Sequence, residues 1–135
     1  VIIISVVEQV ADFLVVNSYG TLGTDLFCYT WGSSYNNAIM VTSTGGLDPD
    51  RFLDQTTNRV VHTFVNILVR NSSMENGLEI AEDLIKLFEK NICSYFIDNK
   101  PRRDEVIYVG KEETTHGTFY LFGIDLRVIS IKNNL

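Results

Sequence analysis

The sequence predicts an α+β domain: a mostly antiparallel sheet of about five strands with two helices packed on one face, in the order α-β-β-β-α-β-β. Three observations carry this. Two segments repeat apolar residues near a 3.6-residue period, each behind a Ser-x-x-Glu capping box. The rest of the apolar content lies in short β-branched and aromatic runs separated by turn residues. The chain has 135 residues with 2 Pro and 9 Gly, and neither a repeat nor a linker divides it, so 1–135 reads as a single domain.

The first helix is expected at about 5–17. Ser5 stands at the N-cap with Glu8 three residues on, and Ile3, Val7, Val10, Phe13 and Leu14 form the stripe. Asn17, Gly20 and Gly23 stop it. The run Val1–Val16 is apolar, but it lacks a basic n-region and Glu8 and Asp12 interrupt it, so it reads as neither a signal peptide nor a membrane span.

Leu26–Trp31 reads as a first strand, residues 32–37 as a turn, and Ala38–Thr42 as a second strand, the two forming a hairpin. Ser43 to Asn58, with Gly45-Gly46-Leu47-Asp48-Pro49-Asp50, reads as a loop. Val60–Arg70 is the third strand, with Val61, Val65, Ile67 and Val69 on one face and Arg59 and Arg70 at its ends.

The second helix starts at a capping box, Ser72 to Glu75. Leu78, Ala81, Leu84, Ile85, Phe88 and Ile92 make its apolar stripe. Its acids come early and its lysines late, as the helix dipole favours. Asp98-Asn99-Lys100-Pro101 ends the region, and Glu105–Val109 is the fourth strand. Glu112–Gly117 is a polar hairpin loop. Thr118–Ile131 is a strand of roughly 46 Å, long enough to project past its own sheet toward another subunit, with Gly123 marking a bulge or bend. Tyr120, Phe122, Ile124, Leu126 and Val128 share one face of it; Phe119, Leu121, Asp125, Arg127 and Ile129 share the other.

Seventeen acids against eleven bases give a net charge of −6, which argues against a general nucleic-acid binder. The imbalance is concentrated: Glu8, Asp12, Asp25, Asp48 and Asp50 precede the first cation, Arg51. Cys28 and Cys93 form no CxxC and fit a reduced compartment. Asn71-Ser72-Ser73 matches a glycosylation sequon that nothing else supports.

Catalytic patterns are not found. His62 and His116 stand outside any metal-ligand spacing, no GxSxG or phosphate-binding glycine motif occurs, and Gly45-Gly46 reads as a turn. Glu82 and Asp83 are adjacent on a helix and diverge; Glu112 and Glu113 flank a turn. Arg102-Arg103 fits an inter-subunit salt-bridge donor better than a phosphate site. The expectation is a non-enzyme without metal or cofactor.

The stretch Gly45-Gly46-Leu47-Asp48-Pro49-Asp50-Arg51 leads into a strand ending Val-Asn-Ile-Leu-Val-Arg70, followed by a capped helix with Ala81 and Leu84 through Leu87, a hairpin and a long terminal strand. This resembles the tail terminator, or minor capsid (tail completion), proteins of long-tailed bacteriophages, whose sequences often run "GG...pd......v.v.vR", a short linker, then "a...a..i...l". The likeness covers about 40–131, and the first helix by position alone. The chain departs from the pattern in its aromatic first hairpin and in having no basic residue before Arg51.

The resemblance implies structural work in the virion at the head–tail junction, after assembly in the host cytoplasm. Such proteins form a ring, usually of six copies, that caps the tail tube, halts its polymerisation and docks to the head connector protein. DNA passes through the channel without specific binding, and no membrane is involved. The candidate subunit-interface residues are Asp48, Asp50, Arg51, Arg59, Arg70, Arg102, Arg103 and Arg127. Arg59 and Arg70 either pair with acids of a neighbouring subunit or are solvated. The five acids ahead of Arg51 are candidates for lining the DNA passage. Rival readings are a head-completion or tail-joining protein of the same virion and, from another class, a small ligand-binding module or enzyme.

Overall fold

The structure, a computed structural model, describes residues 5–32, 35–51, 58–93 and 96–133; at 46–51, 58, 59, 132 and 133 it describes the backbone alone. Its elements are α1 (Val6–Val16), β1 (Leu26–Cys28), β2 (Ala38–Arg51), β3 (Asn58–Asn71), α2 (Met74–Lys90), β4 (Asp98–Pro101), β5 (Ile107–Thr114) and β6 (Gly117–Asn133). They make the expected α+β arrangement with one strand more: a six-stranded sheet in the order β1-β2-β3-β6-β4, with β5 also pairing β6.

Both helices cover one sheet face. Strand alternation turns Val65, Ile67 and Val69 of β3 and Phe122, Ile124, Leu126 and Val128 of β6 to that side. They meet Val7, Val10, Ala11 and Leu14 of α1 and Ala81, Leu84, Ile85 and Phe88 of α2 in one buried cluster. The Phe13 and Phe88 rings, 5.4 Å apart, join the two helices. Burying a side chain of this size contributes roughly 1.5–3 kcal/mol.

The caps explain where the helices begin and end. The Ser5 hydroxyl accepts from the Glu8 amide at 3.1 Å, as expected. In α2 the cap is Ser73 rather than Ser72: its hydroxyl accepts from the Asn76 amide at 3.3 Å, and the Ser72 amide instead donates to Asn37 Oδ1. The buried positions of α2 are Gly77, Ala81, Leu84, Ile85 and Phe88; Leu78 lies off that stripe and is exposed, and Ile92 falls beyond the last turn and is exposed. The sequon residue Asn71 is buried, its Oδ1 accepting from the Ser73 amide.

Further expectations are corrected. Leu26–Trp31 and Ala38–Thr42 do not form a hairpin: β1 stops at Cys28 and runs parallel to β2, with Leu26 opposite Ile39. Tyr29 takes φ 70°, which ends β1, and residues 29–37 carry the chain back before β2 starts. Ser33 and Ser34 of the expected turn lie outside the described residues, as does Ile3 of the first stripe.

Much of the expected Ser43–Asn58 loop is strand. β2 continues to Arg51 and β3 starts at Asn58, with register shifts at Ser43/Gly45 and Leu47/Asp50. Gly45 has φ 109° at the first shift. Pro49 falls inside the second, where a missing N–H breaks no ladder. Residues 52–57 lie outside the described residues.

Asp98–Pro101 is not a stop but β4, antiparallel to β6. Asn99 makes this possible. It is fully buried; its Oδ1 accepts from the Cys93 amide at 2.7 Å, and its Nδ2 donates to the carbonyls of Asn91 at 2.8 Å and Phe88 at 3.3 Å. The end of α2 thus gains partners for groups the helix itself leaves unbonded.

The Glu112–Gly117 loop shrinks to a turn at Thr115-His116, and β6 spans 17 residues. β6 does not project bare. β3 pairs it from Tyr120 to Asn133, and β5 and then β4 occupy its other edge as far as Ile129. The irregularity lies in β5, between Tyr108 and Gly110, not at Gly123.

Candidate functional site

Among the described residues no helix covers the opposite face of the sheet. Alternation places Phe64, Asn66, Leu68 and Arg70 of β3 there, beside Leu121, Asp125, Arg127 and Ile129 of β6. The two ends of this face differ.

One end is closed by Trp31, Tyr35 and Asn36 around Arg70. The Arg70 Nε donates to the Asn36 carbonyl at 2.9 Å, and its guanidinium lies 4.4 Å from the Trp31 ring centre and 5.5 Å from that of Phe119. Tyr35 stacks on His116 at 4.9 Å, which ties the same segment to the β5–β6 turn. Arg70 is 2% exposed. Burial pushes its pKa down, and the Glu112 carboxylate opposes that. This arginine belongs to the fold and does not stand at an edge facing a neighbour.

The other end is wet and cationic. Arg102 lies over the Phe64 ring at 4.1 Å. Asp125 organises the segment: its backbone carbonyl accepts from the Arg102 amide at 2.8 Å, its Oδ1 from Asn66 at 2.7 Å, and its Oδ2 from Arg103 at 3.4 Å. Arg127 Nη2 lies 3.0 Å from His62 Nδ1; a guanidinium only donates, so His62 accepts there. Lys100 stands directly opposite Arg127 in the β4–β6 register and is exposed. Guanidinium and ammonium groups in this array suit carboxylate or phosphate oxygens.

No family model matches the chain, and no curated protein matches it.

Of the candidate interface residues, Arg102, Arg103 and Arg127 converge on this cationic end. For Asp48, Asp50, Arg51 and Arg59 only the backbone is described; Arg51 stands opposite Arg59 in the ladder, and Arg59 opposite Lys132. Their side chains lie outside the described residues. Sequence reasoning placed Lys100 just before the Arg102-Arg103 basic spot but missed Phe64, Asn66 and His62 as members of the cluster. The available signal was Asp125 and Arg127, two charges on one face of an otherwise apolar strand. The register that brings Lys100 beside them follows from β4, which the polar Asp-Asn-Lys-Pro run hides.

Two open grooves flank the helices. One, of about 450 Å³, lies between α2 and the 104–106 segment and is lined by Leu78, Glu82, Lys86, Glu89 and Val106. The other lies by the start of α1, among Ser5, Tyr29, Val61, Thr63 and Ile131. Among the described residues no group of three or more His, Cys, Asp or Glu side chains stands where it could hold a metal ion. No helix among them is long and apolar enough to cross a membrane.

Proposed function

We propose that this chain is a structural virion protein that resembles a phage tail terminator. Copies of it form a ring, six by the resemblance, that caps the tail tube, stops its polymerisation and docks to the head connector. The observation that carries this is the helix-free sheet face. A two-layer domain with no helix on one sheet face among the described residues, and with ordered cations there in a chain of net charge −6, is suited to being covered by a partner.

The channel must pass DNA without holding it, and acidic walls repel the phosphate backbone. Of the five acids ahead of Arg51, Asp25 is committed to its own turn, its Oδ1 accepting from the Thr21 amide at 2.6 Å. The lumen proposal therefore loses Asp25.

Light scattering after size-exclusion chromatography, negative-stain microscopy and a tube-growth assay test this function together. Closed rings that arrest tube growth are expected. A chain that stays monomeric both alone and with tail tubes, and leaves tube growth unchanged, refutes it.

A further inference from the structure

A ring needs two different surfaces on one chain that fit each other. Two surfaces on opposite layers of this chain are complementary in charge. On the helix-free face Lys100, Arg102, Arg103 and Arg127 are exposed beside the carboxylates Asp125 and Asp98, the latter opposite Ile129 in the β4–β6 register, a local balance of +2. On the opposite layer α2 exposes five acids between Glu75 and Glu89 against Lys86 and Lys90, a local balance of −3.

Each surface also carries apolar area. α2 exposes Leu78 at 39%, and the helix-free face exposes Val109 at 53%, its Cγ2 over Gly123. Arg102 is seated over the Phe64 ring and Arg103 is tethered by Asp125, so both guanidinium groups are positioned before any further carboxylate arrives.

Resting on the ring reading above, we infer that the outer face of α2 in one copy docks on the helix-free sheet face of the next, its acids meeting the Lys100–Arg127 cluster. The contact joins unlike surfaces, so it propagates from copy to copy until the ring closes. A polyanion is the other occupant such cations suit. The acidic total of the chain opposes it, whereas the second copy supplies the matching carboxylates.

Two double variants test the contact. Glu79→Lys with Glu82→Lys reverses the helix surface, and Arg102→Glu with Arg127→Glu reverses the sheet surface. In low salt the unaltered chain is expected to form rings that weaken as salt screens the pairs. Each variant alone is expected to be monomeric, the helix variant with unchanged melting. Mixed together, the unaltered surface of each meets the unaltered surface of the other and the two reversed surfaces meet likewise, so rings of alternating copies are expected. A chain carrying all four reversals is expected to assemble again. Glu79 and Glu82 are both exposed, so the helix variant keeps its fold even if the sheet variant melts early. Rings that survive both reversals overturn this contact and leave the ring itself standing. An unaltered chain that is monomeric alone and on tail tubes overturns both. DNA duplex bound by the unaltered chain and lost in the sheet variant, without self-association, overturns the contact in favour of a polyanion site.

Discussion

The Arg70 guanidinium lies 4.4 Å from the centre of the Trp31 ring, and this pairing holds Trp31 over one end of the sheet. The chain leaves β1 at Tyr29 and must return alongside it to start β2 in parallel. Nine residues make that return, fewer than the usual crossover between parallel strands. Arg70 supports it from below, through the ring of Trp31 and the carbonyl of Asn36.

Arg70→Ala is therefore expected to destabilise by about 2–4 kcal/mol, from a lost charged hydrogen bond and a lost desolvated cation–π contact. Trp31 is the sole tryptophan, so its fluorescence reports the segment directly. Emission should shift to the red, and amide exchange should rise at 29–37. Arg70→Lys should rescue little, because an ammonium neither stacks nor forks. Unchanged emission and exchange would show that the segment holds itself.

Asn99→Ala is expected to cost about 2–4 kcal/mol, since it strands the Cys93 amide and takes a donor from the carbonyls of Phe88 and Asn91. Asn99→Asp keeps the acceptor but aims a charge at two carbonyls, so it should also destabilise at neutral pH. Urea unfolding of both variants checks this. A loss below about 0.5 kcal/mol, the level of an ordinary surface change, would contradict it.

The sequence revealed what repeats along the chain and hid what depends on partners far away in it. Both helices, β3 and the two faces of β6 were legible because capping residues and apolar periods are local signals. β4 was not: Asp-Asn-Lys-Pro has turn composition, and it is held as a strand by its pairing with β6 and by buried Asn99. The outer half of β2 was read as a loop because Gly45 and Pro49 look like breakers, yet both sit at register shifts that tolerate them. Arg70 resembled an exposed flanking charge, and only the return of residues 29–37 buries it. For the candidate site, the face of Arg127 was readable, but the company it keeps was not.

Gly77→Ala sets two effects against each other. Alanine favours a helix over glycine by roughly 1 kcal/mol. An added Cβ, however, would sit 2.8 Å from Phe122 Cε2 and 3.0 Å from Asn71 Cβ, where α2 crosses the sheet. Phe122 is buried and cannot swing away, so overpacking of about 1–3 kcal/mol is expected to win. Adding Phe122→Leu should recover part of the loss, a coupling that a double-mutant cycle by thermal or urea unfolding measures. A stabilised single variant would show that helix and sheet separate easily there.

Cys28 gives a dependence on pH whose sign is fixed. Burial, and then the Glu8 carboxylate, raise the pKa of its thiol above the ordinary value. The folded chain therefore holds this proton more tightly than the unfolded chain. The resulting stability is complete below the unfolded thiol pKa and is lost as pH rises through the folded one, a window starting at about 8.5. Tyr19, also raised by burial and by Asp83, acts with the same sign at higher pH. Cys28→Ser should flatten the first part of the alkaline fall in urea stability and leave the second. Alkylation is the independent check, because the thiolate is the nucleophile. At pH 8 Cys28 should react more slowly than a free thiol, and Glu8→Gln should speed it. Cys93, 2% exposed, should react only when the fold opens. Equal alkylation rates with and without the Glu8 charge would remove that carboxylate from the account.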